Sequence, residues 1–439
     1  MDQGDEVRPS AEEQLRIRLE SMAEREAAEL NSVSTEKPPL VPSAAPSVVN
    51  MADMDRLRLV LPTCYLLSTF QLVDTHGSAP LKAESKMVST PRQGPLAGLR
   101  IVEFEGIGPA PFGVMLLADL GAEILQIRRA GATWPDVPIV NRGRAALDLD
   151  LKTSDGLAQA LRIADASDVV VEAYRPGVME RIGLGPDTLL ARNPSLIYAR
   201  MTGWGQDGPL AKAAGHDINF IGLTGMLDAV TEPGKRPVPP QNLLGDYACG
   251  GAYLAIGILA ALYERQRSGG GQVVDAAIVD GSVSMLAPIL GMMAAGLLPT
   301  KPQEGMLAGR APFYRTYVCR DGRFLALGPL EPQFQAALAS AIGVDDLSDP
   351  HVLEDLFLTR SRDEWVQLLE PIDCCVCPVL DLEEARSHPH LVERNVFVQR
   401  GGGFQPAPAP RFSRTPGVLQ EGLDSADLLA SWGLRGELA

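Results

Sequence analysis

The chain has 439 residues, 46% hydrophobic and 21% charged, a composition that suits a globular protein with a sizeable core and a length that suits two or three domains. Its 55 acidic side chains against 39 basic ones leave a formal charge of -16, which argues against a nucleic-acid binder, since such proteins present a basic face. A small anionic ligand can still be met by a local basic patch.

Residues 1–95 read as an appendage. Ser10-Ala-Glu-Glu13 offers a capping box for a short amphipathic helix through Leu15, Leu19 and Met22. The stretch KPPLVPSAAPSVV that follows is a Pro-, Ser- and Ala-rich linker, so the segment is expected to be largely disordered. No run in the chain is expected to reach the roughly 18 apolar residues of a membrane span. The nearest, residues 59–73, is interrupted by Pro62.

From Leu96 the pattern changes. LRIVEF reads as a strand, GIGPAP as a turn, FGVMLLADLGA as a helix and EILQI as a strand. AALDLDL is a strand, a helix begins near Ser154, and DVVVEAY and LIYARM are strands. Strands alternating with helices at this spacing predict a parallel, doubly wound α/β sheet, with ligands at the carboxyl ends of its strands. A long apolar helix after Leu243 stops at Gly269 to Gly271, and a further buried strand follows. Residues 300–375 read as a smaller unit, with strands in APFYRTYVC and RFLALG and a helix in EPQFQAALASAIG. The Pro-rich FQPAPAPRFSRTPG is extended, as for a segment lying on another surface or subunit. The boundaries predicted are an extension over 1–95, a large domain over 96–295, a small α+β domain over 296–378 and a returning segment over 379–439.

Several residues are chemically suggestive. Gly106-Ile107-Gly108-Pro109 partly matches a dinucleotide fingerprint, but the third glycine and the acid about 20 residues on are absent. Arg128 and Arg129 stand there instead, and a guanidinium at that point suits a ribose phosphate, as in coenzyme A or a phosphorylated dinucleotide. Solvated arginines at a strand end are the plainer alternative. Arg142, Arg144 and Arg175 add basic side chains to the same rim. The six cysteines lack a disulfide-framework spacing, which points to a reducing compartment. Cys374, Cys375 and Cys377, upstream of His388 and His390, do not have the paired spacing of a zinc site and read as buried strand cysteines.

His216 and Asp246 carry the strongest signal. His216 follows a Gly-rich loop and opens the helix HDINFIGLTGML; Asp246 follows a glycine and opens a longer one. Alone, a carboxylate at a helix start is equally a cap contributing about 0.5–2 kcal/mol. Two proton-exchanging groups at equivalent loop-to-helix junctions make a candidate acid–base pair.

The stretches LAGLRIVEFEGIGPAPF, YRPGVMERIGLGP, LIYARMTGWGQDGP, AGHDINF, RPVPPQNLLGDYACGG, GQVVDAAIVDG, APFYRTY, EPQF and PAPRFSRTP carry a family resemblance. From Leu96 to about Arg414 the chain resembles the family III coenzyme A transferases (CaiB/BaiF), and among them the α-methylacyl-CoA racemases. The resemblance implies a Rossmann-like CoA-binding domain and an interlocked homodimer, with each active site between the large domain of one subunit and the small domain of the other. It implies His216 and Asp246 as the catalytic pair, with Glu331 supporting the histidine. It implies coenzyme A contacts at Arg129, at Asp148, Leu149, Asp150 and Leu151 (taken as a strand), at Arg175, and at Gly215, Asp217, Ile218, Asn219 and Phe220. No metal or redox cofactor is called for, coenzyme A being part of the substrate.

The activity this predicts is epimerisation at C2 of 2-methyl-branched acyl-CoA thioesters, with one base on each face of the carbon and helix-start amides near Asp246 holding the enolate oxygen. The alternative is CoA transfer, with Asp246 as nucleophile through an acyl-aspartate anhydride; His216 separates the two, because a transferase has no need of an imidazole there. A non-catalytic acyl-CoA binder would have lost one of the bases. Departures from the family pattern bear on substrate range: Arg128-Arg129-Ala130 replaces Asp-Arg-Pro, Ala308-Gly309-Arg310 replaces Asp-Gly-Gly, and residues 344–363 form a shorter region. The chain ends Gly-Glu-Leu-Ala and not in a Ser-Lys-Leu type signal, so cytoplasm is the expected compartment.

Overall fold

Short β-branched runs build a six-stranded, all-parallel sheet from β1 (Arg100–Phe104), β2 (Glu123–Arg129), β3 (Arg144–Leu149), β4 (Val169–Glu172), β5 (Ile197–Thr202) and β6 (Gln272–Ala277). The structure, a computed structural model, describes residues 92–129, 131 and 137–434. The helix and linker expected before residue 92 lie outside them, as does Cys64.

The strand order is β3-β2-β1-β4-β5-β6, the doubly wound order in which the chain leaves β1 in one direction and returns to β4 on its other side. Both faces are covered, which is why the strands read as continuous apolar runs. Ile101, Ile124, Val169 and Ile197 face one core; Val102, Leu125, Val170 and Tyr198 face the other.

The first core is closed by α1 (Pro109–Asp119) and by a long helix whose wide first turns, Leu243–Gly251, are π-helical. The second core is closed by α2 (Ser154–Asp165), which starts at Thr153, whose hydroxyl accepts the Gly156 N–H at 3.1 Å. Further along run the short helix α3 (Asp217–Leu223), α4 (Ala252–Ser268), which continues the π-helical turns, and α5 (Ile278–Met285). α1 crosses the π-helical segment at two glycines: a Cβ on Gly113 would lie 2.6 Å from the Gly251 carbonyl oxygen, and one on Gly251 would lie 2.5 Å from that of Pro109. No other residue fits there. The crossing carries the segment bearing Asp246 up to the start of α1.

Three local expectations change in three dimensions. β6 was predicted to be buried, but it is the sheet's edge: only Ala276 and Ala277 are buried, and Val273 is 41% exposed. β3 ends at Leu149, so Asp150 and Leu151 belong to the following turn, where the Asp150 carbonyl accepts the Thr153 hydroxyl at 2.8 Å. Residues 243–268 do reach the length and hydropathy of a membrane span, at 26 residues and mean hydropathy 1.5. Leu254, Ala255, Ile258 and Ala261 of that helix are buried in the first core, so its apolar character serves packing.

The smaller unit has its own antiparallel sheet of β7 (Arg315–Val318), β8 (Phe324–Leu327) and β9 (Val376–Pro378). α6 (Pro332–Ile342), α7 (Pro350–Phe357) and α8 (Arg362–Leu369) share with it a third core around Tyr317, Leu338, Phe357 and Trp365. The expected buried cysteines are corrected here. Cys374 is buried, but Cys375 is exposed with φ 54 and Cys377 is exposed, because β9 is a three-residue edge strand with one face open. The chain then returns: α9 (Ser425–Ser431) lays Leu428 and Leu429 into the second core, and the indole N–H of Trp432 donates to Glu123 at 2.6 Å.

Candidate active site

The order reversal between β1 and β4 opens a crevice at the carboxyl ends of the strands. It holds a cavity of about 530 Å³ lined by Gly108 after β1, Tyr174 and Arg175 after β4, Thr202 at the end of β5 and Trp204 after it, and by His216, Asp246 and Tyr247. A neighbouring cavity of about 760 Å³ lies over β1, β2 and β3, with Arg128, Arg129 and Asp148 in its wall. The two share Ile107, Gly108 and Tyr247. The Tyr247 ring is steadied by Phe112, centroids 5.2 Å apart.

His216 is the residue preceding α3, in extended conformation. Its backbone N–H donates to Asn219 Oδ1 at 3.0 Å, the reciprocal half of a capping box. This fixes the backbone at the helix start and leaves the imidazole exposed on the cavity wall. The floor beneath is aromatic, with Trp204 edge-on to Phe220 at 4.7 Å and 83°.

Asp246 is held differently. The helix starts earlier than expected, at Leu243, and the preceding residue is Asn242, left-handed at φ 62. Asp246 is therefore inside the first turn, not ahead of it. It is 8% exposed. Its Oδ2 accepts the Asn242 side-chain N–H at 2.8 Å and lies 3.2 Å from where a Cβ on Gly108 would sit. Burial pushes the Asp246 carboxyl above its ordinary range; the Asn242 hydrogen bond opposes this, the charge of Asp217 adds to it, and the charge of His216 draws it back down. The imidazole and the carboxyl thus interact across one cavity. The Asp246 N–H donates to Asp217 Oδ2 at 2.7 Å, so it is already engaged and does not serve as one of the expected oxyanion donors.

Of the other sequence candidates, Arg175, Gly215 and Phe220 line the cavity with His216. Arg129 and Asp148 line the neighbouring one, where Arg128 is paired with Asp148 at 2.8 Å. Leu149 is buried, Ile218 and Asn219 are exposed on α3, and Asp217 points inward with 2% exposure. Glu331 is not brought to His216 within the chain. It precedes α6 in the small unit, where its charge acts on Cys375. Ala308 and Arg310 line a third cavity of about 630 Å³ with Tyr314, Cys375 and Cys377.

The expected basic rim is smaller than the sequence suggests. Arg144 is buried against Glu103 at 2.5 Å and also donates to the Pro111 carbonyl at 2.8 Å. Arg142 is buried against Asp119 at 2.5 Å, whose carboxyl burial pushes upward. Both guanidiniums are consumed by buried acids, as they must be to enter the interior at all. Arg129 and Arg175 are the exposed arginines of the rim. Sequence reasoning missed Tyr174, Trp204, Tyr247 and Asn242. Asn242 alone carried a local signal, an Asn tolerating a left-handed turn just before a helix.

A doubly wound domain carries a cavity at its switch point lined by His216 and Asp246, and the comparisons give the class. The chain belongs to CoA-transferase family III, whose profile matches residues 96–422. It is similar to the alpha-methylacyl-CoA racemases of Mus musculus and Homo sapiens, 42% and 40% identical over 336 residues, 74% of this chain and 88% of each relative. Among solved structures it is similar to a CAIB/BAIF family protein from Brucella suis, with TM-score 0.67 and 25% identity over 79% of this chain and all of that one.

Proposed function

We propose that this chain is an isomerase that interconverts the 2R and 2S epimers of 2-methyl-branched acyl-CoA thioesters by two-base proton transfer. The observation that carries the reading is His216 and Asp246 lining one cavity, presented by two different elements. A thioester acidifies the adjacent C–H. One base removes the C2 proton, the C–H electron pair moves into the C1–C2 bond, and the carbonyl oxygen becomes an enolate. The protonated partner then delivers a proton to the opposite face of C2, and the carbonyl re-forms. With the Asp246 N–H engaged by Asp217, other first-turn amides hold the enolate oxygen in this reading.

Coenzyme A is bound as part of the substrate, with Arg175 beside the reacting cavity and Arg129 in the adjoining one; exposed guanidiniums suit its phosphates. In the homodimer this reading entails, Glu331 reaches His216 from the second copy. The exposed apolar side chains of Ile256 and Tyr263 on α4 and Val273 on β6, 58%, 65% and 41% exposed, are surface that such an assembly would cover. CoA transfer through Asp246 is the weaker reading. The two racemase relatives are 40–42% identical, and His216 has no part in an anhydride mechanism.

The deciding experiment is incubation of a single 2-methylacyl-CoA epimer in deuterated water. Deuterium at C2 together with loss of optical activity is the expected result; an unlabelled CoA exchange product with retained configuration would overturn the proposal.

A further inference from the structure

Asp217 directly follows His216 in the chain, yet its side chain turns away from the solvent-facing loop and into the protein, with 2% exposure. Its Oδ2 accepts the backbone N–H of Asp246 at 2.7 Å. Its Oδ1 is buried with no hydrogen-bond partner among the described residues. The contact is tight: a Cβ on Gly245 would lie 2.3 Å from Asp217 Oδ2.

Two features make this more than a packing detail. Oδ1 is thus a buried acceptor left without a donor, and that costs stability. Residues kept in such a position are expected where function demands them. Moreover, one side chain links the backbones that carry the two bases, because the residue after His216 grips Asp246 itself. We propose that Asp217 is a positioning residue: it fixes the Asp246 backbone relative to His216 and keeps a second negative charge beside the Asp246 carboxyl. The charge raises the proton affinity of that carboxyl, which matters because a base that must also serve as an acid works best near the ambient pH.

This inference rests on the isomerase reading. Its test uses Asp217→Asn, which retains an acceptor and removes the charge, and Asp217→Ala, which removes both, each in the full chain. For Asp217→Asn, the expected result is an intact thermal transition, a kcat about tenfold lower, a KM within about twofold, and an acid limb of kcat/KM moved to lower pH. Asp217→Ala is expected to lose about a hundredfold in kcat. An Asp217→Asn enzyme with unchanged kcat and an unmoved acid limb would overturn the proposal, whether or not the alanine variant folds. Asp246→Ala separates the two levels. If that variant keeps full activity, the isomerase reading itself fails; if it is inactive while Asp217→Asn behaves like wild type, only the positioning role fails.

Discussion

The helix starts at 216 and 246 look alike in sequence, a titratable side chain following a glycine at the head of an apolar helix, but they are built in opposite ways. At 216 the residue stands just ahead of α3, its backbone is held by Asn219, and its ring is left exposed. At 246 the residue sits inside a widened turn, its carboxyl is 8% exposed, and Asn242 and Asp217 engage its side chain and backbone. The lesson is that one local motif presents a titratable side chain in two ways, one exposed and one buried. The imidazole stands in reach of solvent, whereas burial raises the Asp246 carboxyl above its ordinary range.

The strongest way to break this pairing is to remove either member. His216→Ala and Asp246→Ala are each expected to lower C2 deuterium exchange by a factor on the order of 10² to 10⁴ while leaving acyl-CoA binding within a few-fold. Exchange rates and equilibrium binding on the same preparations check this, and full exchange in both variants would remove the pair as the catalytic machinery.

Gly108→Ala is expected to be nearly as damaging. The residue has φ 73, and an added methyl would press on the Asp246 carboxyl from 3.2 Å. Substitution both strains the backbone and shifts the base. A loss of kcat of about a hundredfold with an ordered fold by circular dichroism is the anticipated outcome.

Asn242→Ala sharpens the comparison more gently. The amide holds the Asp246 carboxyl down, against burial. Its loss is expected to move the acid limb of kcat/KM to higher pH, opposite to Asp217→Asn, with at most about a tenfold cost at neutral pH. A pH profile that moves the same way in both variants would contradict the assigned roles.

The smallest effect is on stability. A carboxyl whose folded value is raised binds its proton more tightly folded than unfolded. Its stabilising contribution is therefore present below the unfolded value and lost as pH rises through the folded one. Asp246→Asn removes that penalty, so its melting temperature is expected to exceed the wild type's by a few degrees at pH 7, with the gap closing in acid. Melting curves at pH 4 and pH 7 measure it; an equal shift at both would show that ionisation is not its source.

Much of this molecule was legible in the chain order of its residues. The alternation of β-branched runs with helices predicted a parallel doubly wound sheet, because a strand buried on both faces must be apolar throughout and a crossover helix must separate parallel neighbours. That topology in turn predicts a crevice at the strand ends, and His216 and Asp246 line a cavity there. What the linear pattern could not supply was partnership. Arg142 and Arg144 read as a basic rim, but acids 23 and 41 residues away bury them. Asp217 read as a coenzyme contact, but it faces the backbone of a residue 29 positions on.

Strand against helix is settled by the local periodicity of side chains, which the chain order states directly. Whether a given charge faces solvent, a buried counter-charge or a second base depends on which distant segments meet at a crossing such as that of Gly113 and Gly251. Those meetings are fixed only when the whole sheet closes, and it was the tertiary structure that decided them.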